Sequence, residues 1–357
     1  MIWYLAEQLR VYPKACHKLP VFTQNHCWYT EKSYEQSSSE ATALYKSSLF
    51  SGKNFLDLSG GLGVDDWAFS KNFQNVVSLD PNLELNEMVR INWEKLKLIN
   101  CERIDSTAKE YLAGCNINFD LVYIDADRRT EAKRSFLISD ADPDYLGLTA
   151  LLFPISKKIL LKLSPYIDLQ YLKEHLSFLT HIYVVSVNRE VKEVLALVQP
   201  DVLTNVKITA VEIGINGQVQ IFSAEQDNEI KNEGLFEPLW FFEPAPSIIK
   251  AGLSIAYSNG LQLFQLSKNT SFYVGMIAIP YFMGRSFLII SHFEFSKASL
   301  VKYLQKNMIT KANITRRHFN MSVEEIRQVF KIKEGGKEYL FFATLCNNKR
   351  MVYHCHK

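Results

Sequence analysis

The 357-residue chain has six cysteines but no Cys-x-x-Cys pair. Structural zinc sites and redox motifs rely on that spacing, so neither is expected and no metal is assigned. Cys16, Cys27, Cys101, Cys115, Cys346 and Cys355 are scattered along the chain and read as reduced thiols of a cytoplasmic protein. No apolar run reaches the roughly 18 residues of a membrane span. The opening MIWYLAEQLR carries Glu7 and Arg10 and has no long apolar core, unlike a secretory signal. Internal repeats are absent, and the only biased stretch is Ser37-Ser38-Ser39. The charge excess is small, at +2, and the hydrophobic fraction is 47%. That composition excludes wholesale disorder and points to a globular chain of two or so domains, at about 150 residues each.

What is present is a repeated pattern. Residues 1–50 are polar and aromatic, without strand alternation, and read as helices and loops. Short apolar runs then recur: NFLDL (54–58), VVSLD (76–80), FDLVYID (119–125), KILLKL (158–163) and IYVVSV (182–187). Between them lie amphipathic stretches such as 82–99, where Leu85, Val89, Trp93 and Leu96 follow a helical period. Strands apolar throughout, alternating with helices, predict a parallel sheet covered on both faces. KITAVEIG (207–214) and VQIFSA (219–224) flank an Asn216-Gly217 turn, which predicts that an antiparallel hairpin closes the sheet. The charged stretch 225–234 reads as a linker, with smaller α+β units beyond it.

Asp57-Leu58-Ser59-Gly60-Gly61-Leu62-Gly63 directly follows the first strand. Glycines there let the backbone turn sharply and approach a ligand. The loop is not the dinucleotide fingerprint, because Asp66 stands where the third glycine belongs. An acid suits a pyrophosphate poorly and suits a cationic, phosphate-free ligand better. S-adenosylmethionine is such a ligand. Asp80 ends the second strand, where it could accept the ribose hydroxyls, and Asp105 follows the third, near the adenine. Each could instead be a turn-forming or capping aspartate. Ser37 or Ser38 reads as the cap of a helix before the first strand, with Gln36 and Ser38 able to reach the cofactor instead. Residues 188–192 sit on the same rim and read equally as a pocket wall or a helix start.

LDLSGGLGVD (56–65), VVSLDPN (76–82) and FDLVYIDADRR (119–129) resemble motifs of class I S-adenosylmethionine-dependent methyltransferases. The leader 18–47, FFEPAPSIIKAGL (241–253) and the tail 314–345 resemble a bacterial family within that class. Its members join the methyltransferase domain to a small ferredoxin-like domain and a C-terminal THUMP-like domain. The resemblance implies a doubly wound, Rossmann-like α/β domain over residues 51–233 after a helical leader (1–50). It implies a ferredoxin-like domain over 234–280 and a THUMP-like, RNA-binding domain over 281–357. It also implies S-adenosylmethionine held by Asp57, Ser59, Gly60, Gly61, Gly63, Asp80 and Asp105. Asp125, Asp127 and Arg128 would be catalytic, with Arg129 touching substrate. The Pro-Pro-aromatic that many amino-methylating relatives carry after the fourth strand is replaced here by Ala126-Asp127-Arg128-Arg129.

The small net charge hides an asymmetry. Residues 297–357 hold 13 Lys+Arg against 4 Asp+Glu, a net of +9, which leaves −7 for the rest. Lys302, Lys311, Arg316, Arg317 and Lys333 are the residues expected to meet an RNA backbone, in tRNA or rRNA. The interleaved Tyr303, Phe319, Phe330 and Tyr339 read as core. An RNA methyltransferase is the leading reading. A degenerate methyltransferase that only binds RNA, and a small-molecule methyltransferase, stay open.

Overall fold

The computed structural model describes residues 2–125, 127–128, 141–227, 229–231 and 237–357. The chain divides into two compact units, Met1–Ile208 with Ile213–Val219, and Thr209–Glu212 with Gln220–Lys357.

The first unit opens with helices α1 (Ile2–Lys18), α2 (Pro20–Gln24), α3 (Glu31–Gln36) and α4 (Glu40–Ser48). Strands and helices then alternate: β1 (Gly52–Asp57), α5 (Val64–Phe69), β2 (Phe73–Asp80), α6 (Leu83–Lys95), β3 (Cys101–Asp105), α7 (Ala108–Ala113) and β4 (Leu121–Asp125). A small antiparallel pair, β5 (Asp127–Arg128) and β6 (Ala141–Asp142), follows. Next come α8 (Tyr145–Leu152), β7 (Ile159–Leu163), α9 (Leu169–His175), β8 (Leu179–Val187) and β9 (Glu190–Val198). β10 (Lys207–Ile213) and β11 (Val219–Ala224) follow in the chain, and most of their residues are counted in the second unit.

The large sheet has the order β11-β10-β8-β9-β7-β4-β1-β2-β3. Its half from β7 to β3 is parallel throughout. Both faces are covered, so Leu121, Val122, Tyr123 and Ile124 are all fully buried. On α6, Val89 and Trp93 turn inward, as the helical period predicts.

The antiparallel part begins earlier than the sequence pattern suggests. β8 and β9 form a hairpin, and β9 also pairs antiparallel with β7. Asn188 and Arg189 adopt positive φ (49° and 68°), the geometry that a tight two-residue turn needs. The reading of 188–192 as a helix start is therefore corrected to a turn and a strand. Burial of every residue from Glu193 to Val198 hid the strand period.

The second unit holds β12 (Trp240–Pro244), α10 (Pro246–Lys250), α11 (Ser254–Gly260), β13 (Phe264–Gln265), β14 (Tyr273–Gly275) and β15 (Gly284–Glu294). It continues with α12 (Lys297–Lys306), β16 (Asn313–Arg317), α13 (Val323–Phe330), β17 (Tyr339–Thr344) and β18 (Arg350–His356). One seven-stranded sheet, β13-β14-β12-β15-β18-β17-β16, joins the strands of 240–275 to those of 284–356. Phe241, Phe272, Phe287 and Phe341 are fully buried between its strands and helices. Phe319 is buried on the other side with Leu300, Ile326 and Phe342, and Phe330 and Tyr303 pack against them.

Candidate functional site: a cleft over the glycine loop

β1 runs between β2 and β4 and ends at Asp57. The loop after it is stitched to both neighbours, with Leu58 N–H donating to Tyr123 O (3.0 Å) and Gly60 N–H to Leu79 O (2.8 Å). Gly63 takes φ +77° as it enters α5, and Gly61 takes φ +49°. Side chains at these positions would be strained.

Gly60 faces a constraint from below as well as lining the cleft. A Cβ there would lie 1.9 Å from Nη1 of Arg103 and 2.2 Å from Oγ of Ser78. The Arg103 guanidinium is fully buried beneath the loop. It donates to Asn86 Oδ1 (2.7 Å), Ser78 Oγ (2.7 Å), the Gly61 carbonyl (2.7 Å) and Asp66 Oδ2 (3.4 Å). It lies 3.6 Å from Asp80 Oδ2. Gly60 thus makes room for a protein side chain. Asp66 is likewise a partner of this arginine, fully buried and absent from the cleft wall. Asp66 faces Arg103 and not the ligand space, so it does not repel a pyrophosphate there, contrary to the expectation from the sequence.

Asp57 is 1% exposed. Its Oδ1 accepts from Ser59 N–H (2.7 Å) and Ser59 Oγ (2.9 Å). Burial, then the nearby Asp66 charge, pushes the Asp57 carboxyl well above the usual range. Burial also raises Asp66, to about 6, although Arg103 and hydrogen bonds from Ser78 and Asp57 oppose the rise.

A cleft of about 1280 Å³ opens above this loop. Ser59, Gly60, Gly61 and Gly63 form its floor, with Asp57, Asp80 and Asp125 at the ends of β1, β2 and β4. It lies outside the carboxyl ends of parallel strands, where open α/β sheets place their ligands. Asp80 accepts from Gly61 N–H (3.1 Å) and Asn82 N–H (2.9 Å). Asp105 does not line the cleft. Its Oδ1 accepts from Asn86 (2.7 Å) and Arg90 (2.6 Å), and Thr107 and Ala108 form the wall there. The Arg90 hydrogen bond holds the Asp105 carboxyl below its ordinary range.

The leader supplies another wall through Gln36, Ser37 and Ser38. The cap of α4 is Ser39, which accepts from Thr42 N–H, and not Ser37 or Ser38. Ser38 is instead buried, donating to Asp65 Oδ2 (2.7 Å) and accepting from Lys46 Nζ (2.9 Å). Lys46, fully buried, also contacts Asp65 (2.9 Å), Glu193 (3.2 Å) and Tyr123 OH (3.2 Å). Burial alone would raise Asp65. Lys46, then Lys162 and Ser38, outweigh it and hold Asp65 below its ordinary value. Burial raises Glu193, with Lys46 opposing.

Asp125 is bound to Lys162 of β7, and its backbone N–H donates to Ser59 Oγ (2.6 Å). Burial would lower Lys162, but Asp125, Glu193 and Asp65 hold it above its ordinary value. Arg129 lies outside the described residues, and Asp127 and Arg128 are described only as the backbone of β5. Sequence reasoning missed Lys46, Arg103 and Lys162. Lys162 was detectable as a charge inside the apolar run KILLKL.

The basic residues of the second unit separate into two kinds. Lys302, Lys311, Arg316 and Lys333 are exposed. Lys311 and Lys333 face each other across a parallel bridge, so two like charges sit together in solvent. Arg317 is engaged internally. It donates to Thr270 O (3.2 Å), Ser271 O (3.0 Å) and Glu243 Oε1 (3.2 Å), and its guanidinium lies 4.5 Å from the Phe272 ring centre.

Residues 284–357 match the family model for the THUMP domain-like family. A crystal structure from Porphyromonas gingivalis W83, of a protein described as a "putative methyltransferase", is similar over 99% of this chain and 90% of that one. The TM-score is 0.87 and the identity 29%. An rRNA methylase from Streptococcus thermophilus overlaps with 45% of this chain and 93% of its own, at 11% identity and a TM-score of 0.34. TrmK of M. capricolum, in complex with S-adenosyl-homocysteine, overlaps with 45% of this chain and 69% of its own, at 11% identity and a TM-score of 0.35. Overlaps that low carry no weight beside the Porphyromonas structure. No curated protein matches. The chain has the fold of a class I methyltransferase carrying a THUMP-like domain over residues 284–357.

Proposed function

We propose that the chain is an S-adenosylmethionine-dependent methyltransferase that acts on RNA. The observation that supports this most is the cleft itself. Three strand-end acids and a glycine loop surround about 1280 Å³ of space, above the ~300–1,000 Å³ of most small-ligand sites. That leaves room for a cofactor and for part of a substrate.

The residues fit the cofactor. Asp57 is a buried carboxyl with no cation paired to it among the described residues, so an arriving ammonium group would favour its ionised form. Asp80, fixed by the loop N–H groups, faces the cleft where ribose hydroxyls would lie. Thr107 and Ala108, beside Asp105, would flank the adenine. When bound, the cofactor supplies an electrophilic methyl group. Methyl transfer is an in-line displacement, so the chain chiefly has to align the acceptor. Asp125 is the group we assign to orient that acceptor or take its proton, and Lys162 positions Asp125. Arg128 and Arg129 would hold a substrate phosphate. Lys302, Lys311, Arg316 and Lys333 would meet the RNA backbone, tRNA or rRNA. We place the reaction in the cytoplasm, where the six cysteines stay reduced.

Two measurements test this reading. The first is a binding titration with S-adenosylmethionine, in which the wild type saturates and Asp57→Ala binds more weakly. Absence of saturable binding overturns the cofactor assignment. The second is transfer of labelled methyl to total RNA from a strain lacking the gene. Label in RNA supports the enzyme, whereas cofactor binding with unlabelled RNA overturns the RNA assignment.

A further inference from the structure

The second unit brings together three metal-ligating side chains that no role assigned above uses. Glu338 immediately precedes β17, and His354 and His356 lie on β18. The two strands pair antiparallel with Tyr339 opposite Cys355 and Leu340 opposite His354, which puts Glu338 opposite His356. Strand side chains alternate in direction, so His354 and His356 share one face. Glu338 Oε2 is hydrogen-bonded to His354 Nε2 and lies 2.8 Å from His356 Nε2. The three ligand atoms all lie within 4.8 Å of one another.

We propose that Glu338, His354 and His356 form a binding site for one divalent transition-metal ion of the zinc type. Two imidazoles and one carboxylate suit such an ion, whereas magnesium and calcium prefer all-oxygen shells. Zinc bonds of about 2.0–2.2 Å in a tetrahedron place ligand atoms roughly 3.3 Å apart. The carboxylate oxygen reaches that spacing from each ring by a slight outward movement from its present contacts.

A further contact is the kind that metal sites require. Tyr303 OH on α12 lies 2.8 Å from His354 Nδ1. With Nδ1 donating to that hydroxyl, the tautomer is fixed and the Nε2 lone pair is turned toward Glu338 and His356. His354 is nearly buried (5% of its side chain exposed), which holds the ring still, and His356 is half exposed at 47%. The site therefore offers three protein ligands, with a fourth position open to water on the His356 side. A bound ion would clamp the end of β18 to the start of β17 and, through Tyr303, to α12. The cysteines do not take part. Cys355 points to the opposite face of β18 with its thiol buried, and Cys346 contacts Leu266 O instead.

The experiment uses the full chain without an affinity tag. The protein is stripped with chelator, given one equivalent of zinc chloride, desalted and analysed for metal. Wild type should retain about one zinc per chain, and its melting temperature should rise by roughly 5 °C at saturating zinc. His356→Ala and Glu338→Gln should lose both responses, while Cys346→Ser keeps them. Cobalt in place of zinc should give visible ligand-field absorption in wild type and none in His356→Ala. His356 is half exposed, so its alanine variant should fold, and an unchanged metal-free melting temperature checks this. Should either variant be less stable without metal, the zinc-induced shift in melting temperature still separates the outcomes. A wild type that retains no zinc, or variants that retain as much as wild type, overturns the proposal.

Discussion

The Cβ that Gly60 lacks would sit 1.9 Å from Nη1 of Arg103. The glycine loop is thus shaped by a buried arginine below it as much as by the open cleft above. Gly60→Ala should push the guanidinium off Ser78 and lower stability by about 1–3 kcal/mol. Gly61→Ala meets only the Ser59 carbonyl, at 3.7 Å. Its cost should be confined to the positive φ, about 1 kcal/mol. Urea denaturation of both variants checks the order, and a Gly61→Ala variant less stable than Gly60→Ala contradicts this account.

Lys46 is the only ammonium within contact of both Asp65 and Glu193 among the described residues. Lys46→Met should strand two buried carboxylates and lower stability by about 3–5 kcal/mol. Adding Glu193→Gln should recover part of that loss, because one uncompensated charge is removed. A double variant no more stable than the single one argues against the pairing.

The Asp57–Asp66 pair has a pH signature. The Asp66 carboxyl is raised to about 6 in the fold from an ordinary value near 3.8. Between those values the folded chain keeps a proton that the unfolded chain has released. Stability from this group is therefore full below about pH 4 and falls as pH rises through about 6. Asp57 is shifted in the same direction. Asp66→Asn should remove this loss, so its stability relative to wild type should climb between pH 4 and 6. Parallel pH profiles for the two proteins count against the raised pKa.

Asp125 and Lys162 should separate chemistry from binding. Asp125→Asn should lower methyl transfer by roughly 10²–10⁴-fold if it serves as base, with S-adenosylmethionine affinity little changed. Lys162→Met should leave cofactor affinity near wild type and lower turnover through loss of Asp125 positioning. Single-turnover transfer alongside a binding titration reads both, and equal losses in the two assays contradict the roles.

The exposed and engaged basic residues of the second unit should behave differently. Lys311→Ala and Lys333→Ala should each reduce the salt slope of RNA binding by about 0.7–1 while leaving stability unchanged. Arg317→Ala should instead lower the melting temperature, because it removes one of the arginine partners of Glu243, beside Arg285, and two carbonyl contacts. Salt titrations of RNA affinity, beside thermal melts, distinguish the two classes.

The run NFLDL, the glycines after it and the helical period around Val89 and Trp93 lead directly to β1, the loop and α6, because each is local. The caps were readable to within a residue or two, since Ser37, Ser38 and Ser39 all have the right chemistry and only the backbone geometry selects Ser39. β9 was hidden because burial on both faces removes the strand alternation. Arg103, Lys46 and Lys162 were not legible as a group. Their meaning lies in partners 37, 147 and 37 positions away in the chain. Glu338, His354 and His356 came together only once the strand register was known.

β18 is the last strand of its sheet in sequence, yet it lies between β15 and β17. During synthesis, β12 and β15 emerge as one fragment and β16 and β17 as another. No strand pairing links the two until β18 is translated. The second unit must therefore reach its final strand order after most of its residues have left the ribosome, with the inner edges of β15 and β17 unpaired in the meantime. A pause or a truncation before Arg350 would leave two half-sheets with open edges, the species most open to capture by a chaperone or by another nascent chain.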